Sequence, residues 1–145
     1  MRSMSRTKIL LAVVVLLAFL PSSARAVDAM AVPSTTELHL SASDVDLGTP
    51  VTLTAEVLFA GPLRRGSILF CDASAVRCQG LAVLGSAQLT SRGRASIKLT
   101  LGAGSYSIKA VFQGTPRTAP PVSGSTSIAQ TLSVKRMTKS RPEGK

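Results

Sequence analysis

The chain has 145 residues, with 17 lysines and arginines against seven aspartates and glutamates, one histidine, two cysteines, one tyrosine and no tryptophan. The formal charge of +10 is unevenly placed: four basic residues lie in 1–26 and five in 135–145, so 27–134 holds eight basic and six acidic residues, a net of about +2. A nucleic-acid-binding body needs clustered Lys and Arg interleaved with stacking aromatics; Arg64–Arg65 is the only adjacent basic pair in 27–134, which excludes that class.

Residues 1–26 read as a signal peptide. Arg2, Arg6 and Lys8 precede an unbroken apolar run of twelve residues, Ile9 to Leu20, which Pro21 ends; "SSARA" then places Ala24 and Ala26 at the −3 and −1 positions of a cleavage site. Twelve residues are too few to span a bilayer, which takes about 20. Cleavage would leave Val27 as the first residue, and the protein is expected to be exported: secreted, periplasmic or at the cell surface.

From residue 27 onward helical periodicity is missing and period-two alternation recurs. "TELHL" sets Leu38 and Leu40 against Glu37 and His39. "DVDLGTP" follows as a turn. "VTLTAEV" puts Val51, Leu53, Ala55 and Val57 on one face and Thr52, Thr54 and Glu56 on the other. "SILFC" carries Ile68 and Phe70 on one face; "LGSAQLT", "ASIKLTL", "YSIKAVF" and "SIAQTLSV" complete seven predicted strands. The intervening stretches "AGPLRRG", "SRGR", "GAGS" and "GTPRTAPPVSG" collect residues that fix φ, permit positive φ or bond their own backbone. Seven short strands, mostly with one face apolar, predict an all-β antiparallel sandwich over residues 34–134. The remainder, 135–145, is a basic tail with two open readings: a disordered, solvated end, or a weak contact with an anionic envelope surface.

The lone tyrosine stands after a glycine-rich corner, in "LGAGSYSIKAV". Immunoglobulin-like sandwiches place a tyrosine at such a corner, its ring in the core and its hydroxyl on a nearby backbone group, and Tyr106 is assigned that role. The order of motifs resembles bacterial Ig-like (Big-type) repeats: "STTELHL", "G-x-P-V-T-L-T-A-x-V", "G-S-I-L-F", "G-x-Y-x-I-x-A-V-F-x-G" and a closing "TLSV". The resemblance covers about residues 34–134. It implies a non-catalytic structural or adhesive module of surface and secreted proteins, usually found in tandem. This chain has one copy, and it carries the Pro-rich "TPRTAPPVSG" after the "F-x-G".

Cys71 and Cys78 are separated by "DASAVR" at the end of a predicted strand. In an exported protein they are expected to form a disulfide that pins the loop; two free thiols and a metal pair remain the alternatives, although structural zinc wants four ligands. This is not the inter-sheet bridge of antibody domains, whose corresponding positions look like Ala55 and Ile108. No metal or other cofactor is expected. His39 falls on an outer face, Asp44 and Asp46 offer two carboxylates where an EF-hand loop needs five or six oxygen ligands, and no serine sits in a nucleophile elbow, so no catalytic residues are assigned.

The candidate contact site is the stiff, weakly basic tip formed by Pro116, Arg117, Pro120 and Pro121. A glycan-binding surface would need exposed aromatics; Phe70, Tyr106 and Phe112 fall on predicted core faces and Phe59 alone could be exposed. The expectation is a monomeric spacer or adhesion module. The rival readings are a binder of an envelope glycan or peptide, and a piece of a longer multi-repeat surface protein.

Overall fold

A computed structural model describes residues 30–61 and 65–137; the predicted signal peptide and residues 138–145 of the tail lie outside them. The described residues form nine strands and one 3-10 turn. The strands are β1 (Ser34–Leu40), β2 (Asp44–Asp46), β3 (Val51–Phe59), β4 (Ser67–Asp72), β5 (Val83–Gln88), β6 (Arg94–Leu99), β7 (Gly104–Phe112), β8 (Ser125–Thr126) and β9 (Gln130–Lys135). They build two sheets, β1-β3-β6 and β2-β9-β7-β4-β5, with β8 also paired to β7. This is the expected immunoglobulin-like β-sandwich. Every pairing between these strands is antiparallel except β2 with β9.

The alternation of β3 explains the layering. Val51, Leu53, Ala55 and Val57 are buried while Thr52, Thr54 and Glu56 are only partly covered, because successive side chains of a strand point to opposite faces. From the other sheet Ile68, Phe70, Ile108, Ala110, Phe112 and Leu132 meet them, and all six are essentially inaccessible. Burial of each of the larger side chains contributes about 1.5–3 kcal/mol. Ala55 and Ile108 are both fully buried and are held there by packing.

Three sequence expectations change. Asp44–Asp46 is a short strand rather than a turn: after Leu40 the chain crosses to the other sheet and runs parallel to β9, with Asp44 opposite Ser133 and Asp46 opposite Lys135. Lys135 therefore belongs to the last strand and not to a free tail, and its Nζ lies 3.1 Å from Asp44 Oδ1. The predicted strand "SIAQTLSV" is broken as well. Ser127 is buried, its hydroxyl accepts the Ala110 N–H at 2.9 Å and donates to the Ile128 carbonyl, and Ile128 is turned outward, 79% exposed.

The backbone path joins opposite ends of the sandwich. Ser34 faces Phe59 and Phe112 faces Ser125 at the end where Val32 enters; Gly104 faces Val134 at the end where Lys135 leaves. The nine residues of β7 link the two ends, a span of about 27 Å at ~3.4 Å per residue.

Candidate functional site

The polar residues that could suggest chemistry are separated from one another. His39 is exposed on β1, with Nε2 3.7 Å from the Glu37 carboxylate. Asp44 and Asp46 lie on β2, engaged with β9.

Tyr106 opens the inward-facing series of β7. Its ring is half-buried against the core cluster, and its hydroxyl donates to the Gly102 carbonyl across 2.8 Å, at the solvent-facing rim. The bond ties β7 to the corner that feeds it. The hydroxyl is more accessible than a core position implies, because the ring reaches out of the core to the corner.

Cys71 and Cys78 are joined in a disulfide, with Cα atoms 5.6 Å apart. Cys71 is fully buried at the end of β4. Three further fastenings hold the enclosed loop. Asp72 Oδ1 accepts the Ser74 hydroxyl at 2.7 Å and the Ser74 N–H at 2.8 Å. Lys109 Nζ donates to the Ala75 carbonyl at 2.7 Å, and the Ala73 N–H donates to the Ser107 carbonyl. The Ser74 hydroxyl, then the Ser74 N–H, hold the Asp72 carboxyl below the ordinary carboxylate range; partial desolvation opposes them and the Lys109 charge adds to them. On this immobilised loop and the turn after it, Val76 and Leu81 are 98% and 104% exposed. The sequence reading missed them. A lone Val inside an eight-residue ring has too little chain around it to be covered, and that was the available signal.

The Pro-rich segment lies at the opposite end. Pro116, Arg117 and Pro120 are exposed as expected, whereas Pro121 is half-buried. The loop is not a free tip, because its base is knitted into the sandwich. Thr115 and Val122 are buried and bridge each other, and Val122 also bridges Val32. The Val32 N–H donates to the Pro121 carbonyl at 2.8 Å, and the Thr118 hydroxyl lies 2.8 Å from both the Thr115 and the Pro120 carbonyl oxygens, which share its single proton. The Ala119–Pro120 peptide bond is cis. Between this loop and the end of β3 lies a cleft of about 570 Å³, lined among others by Val32, Phe59, Arg65, Ala119, Pro120 and Val122. Phe59, the aromatic expected at the surface, forms part of its wall and is half-buried.

The family described as "Bacterial Ig-like domain (group 3)" matches residues 38–135. No curated protein matches the chain. Among solved structures, one described as "Structures of Clostridium thermocellum CbhA fibronectin(III)-like modules" is 13% identical with a TM-score of 0.47, the alignment covering 79% of this chain and 53% of that one; the match spans about half that structure's length.

Proposed function

The chain belongs to the bacterial Ig-like domain family (group 3), and from that premise we propose that it works outside the cytoplasm as a non-catalytic spacer and adhesion module. One observation carries the reading: the backbone enters at the Val32 end and leaves at the Lys135 end, with the first strands hydrogen-bonded along the sheets. β1 lies on β3 in one sheet and β2 lies parallel to β9 in the other, so tension between the two ends loads both pairings in shear, where several hydrogen bonds must break together. A link built this way keeps its length under load. The Cys71–Cys78 bond fits an oxidising location.

The test is single-molecule stretching. Pulled from the Val32 end to the Lys135 end, the domain should resist more force than when pulled from the Val32 end to an attachment at Pro116, which peels one end open. Equal resistance in the two directions would remove the spacer reading.

A second reading rests on the cleft. With Phe59 and Pro120 in its wall and Arg65 beside them, it offers an apolar surface and the Arg65 cation to a peptide or glycan of the envelope. Retention of the purified protein on its own envelope fraction, lost in Phe59→Ala with the fold intact, supports that reading; retention unchanged by Phe59→Ala removes it.

A further inference from the structure

The two sheets have four lateral edges, and they are not finished alike. β2 carries Asp44 and Asp46, with Lys135 drawn across to Asp44. β6 carries Arg94 and Lys98, both exposed. β1 is overlaid by β8, with the Ser34 and Thr36 hydroxyls on Ser125 Oγ at 2.8 and 2.7 Å. The fourth edge is β5, "VLGSAQ", with no charge and no proline in its six residues. It is the terminal strand of its sheet, and among the described residues no strand pairs with its outer side. Open edges are ordinarily blunted by charge, proline or a covering segment, because their unpaired N–H and C=O groups are a template for another strand. Here three edges are blunted along their length, whereas on the fourth the irregularity is a register shift at Leu84, opposite Phe70–Cys71, and Gly85–Gln88 beyond it runs regular with nothing over its outer side among the described residues.

The bare edge is also flush. Ala87 and Gly85 stand opposite Ile68 and Phe70 and so face inward, while Ser86 and Gln88 are exposed on the outer face. At Gly85 the sheets close tightly, since an added Cβ would lie 2.8 Å from Ile97 Cδ1. No bulky side chain therefore crowds the middle of the strand. Just before β5 lies Leu81, fully exposed, and Val76 stands exposed on the disulfide loop that precedes it.

We propose that β5 is a self-association edge, at which a second copy of this chain pairs its own β5 antiparallel about a two-fold axis through Ser86. A neutral strand edge is complementary to itself under that symmetry. The axis sets Ser86 against Ser86, where two hydroxyls can bond across the strands, and Ala87 against Gly85, both small and facing the core side. It carries each Leu81 past the end of the other copy's β5, level with the exposed Thr90–Arg92 turn, so the pairing rests on the strand backbone and not on Leu81. The result is one continuous sheet through two modules, lying side by side. This departs from the monomer expected from sequence, and it does not depend on the spacer reading.

The test uses the protein as its producing cell processes it, at concentrations up to about 1 mM, with mass followed by sedimentation equilibrium. The wild type should rise with concentration from the monomer mass towards twice that value. Ser86→Lys and Ser86→Glu should each stay monomeric over the same range, because like charges meet across the axis, and their thermal melts should match the wild type because Ser86 is exposed. An equimolar mixture of the two variants should recover the doubled mass. A wild type that stays monomeric throughout, a Ser86→Lys that associates as the wild type does, or a mixture that remains monomeric would each overturn the proposal.

Discussion

Gly93 lies so close to Val57 that a Cβ on Gly93 would sit 2.8 Å from the Val57 carbonyl oxygen, while the Gly93 carbonyl accepts the Val57 N–H at 2.8 Å. Gly93 turns the chain from Thr90 into β6 with φ of +75°, a region that costs a residue with a side chain about 1–2 kcal/mol. Gly93→Ala meets that cost and a clash with backbone that cannot swing aside. It is expected to destabilise the domain by about 2–3 kcal/mol, measured by urea unfolding.

Removing the Cys71–Cys78 bond in the double variant Cys71→Ala, Cys78→Ala releases the closed loop from the unfolded chain. The two cysteines are seven residues apart, so chain entropy gives a loss of about 2.5 kcal/mol. Thermal unfolding of the oxidised wild type and the variant checks it. Mass measurement with thiol labelling of the unfolded, unreduced wild type should find no free cysteine.

Asp72 supplies a pH dependence of known sign. Its folded carboxyl titrates below its ordinary value, chiefly through the Ser74 hydroxyl. The stability it contributes is present above the unfolded-state pKa and is lost as pH falls through the folded value. Ser74→Ala removes the larger cause and leaves the N–H bond, so the Asp72 midpoint should move partway back up, as followed by carboxyl-carbon NMR. An unmoved midpoint would show that the hydroxyl is not the cause.

Tyr106→Phe keeps the ring and deletes the donor to Gly102. Because that bond lies at the solvent rim, water can replace the lost partner, and the expected cost is about 0.5–1 kcal/mol. Tyr106→Ala also empties half-buried core space and should cost about 2–3 kcal/mol. Urea unfolding of the pair separates ring from hydroxyl.

The Pro-rich loop separates into tip and base. Pro116→Ala and Arg117→Ala alter exposed residues and should change stability by less than about 0.5 kcal/mol, with envelope association unchanged under the spacer reading. Val122→Ala removes buried methyl groups and should cost about 1–2 kcal/mol. Melting curves and an envelope-binding assay on the same variants read both effects.

Strands with strict alternation could be read directly. Val51–Val57 shows its buried and partly covered positions in simple order, and Ile108 and Ala110 flank the charged Lys109, whereas in the continuously apolar Ile68–Cys71 the face is settled by pairing with β5 and β7. What escaped was non-local. β2 has only Val45 as an apolar residue and owes its existence to β9, some ninety residues later in the chain. The break at Ser127 depends on a hydroxyl bond to Ala110 on another strand. At the candidate sites, the positions of Tyr106 and of the cysteine pair followed from neighbouring residues. The anchored base of the Pro-rich loop did not, because it needs Val32 brought against Val122. The exposure of Val76 and Leu81 concerns what is not beside them, which alternation cannot encode.

The lone Tyr106 also makes the domain its own optical instrument. With no tryptophan in the chain, excitation to the red of the phenylalanine bands draws emission from one ring, whose hydroxyl is engaged with Gly102. Loosening of the corner, through force, acid or a partner, changes that hydroxyl's surroundings and hence the spectrum, without a label. Comparing the emission transition with the circular-dichroism transition along one denaturation then tells whether the corner opens with the sheets or ahead of them.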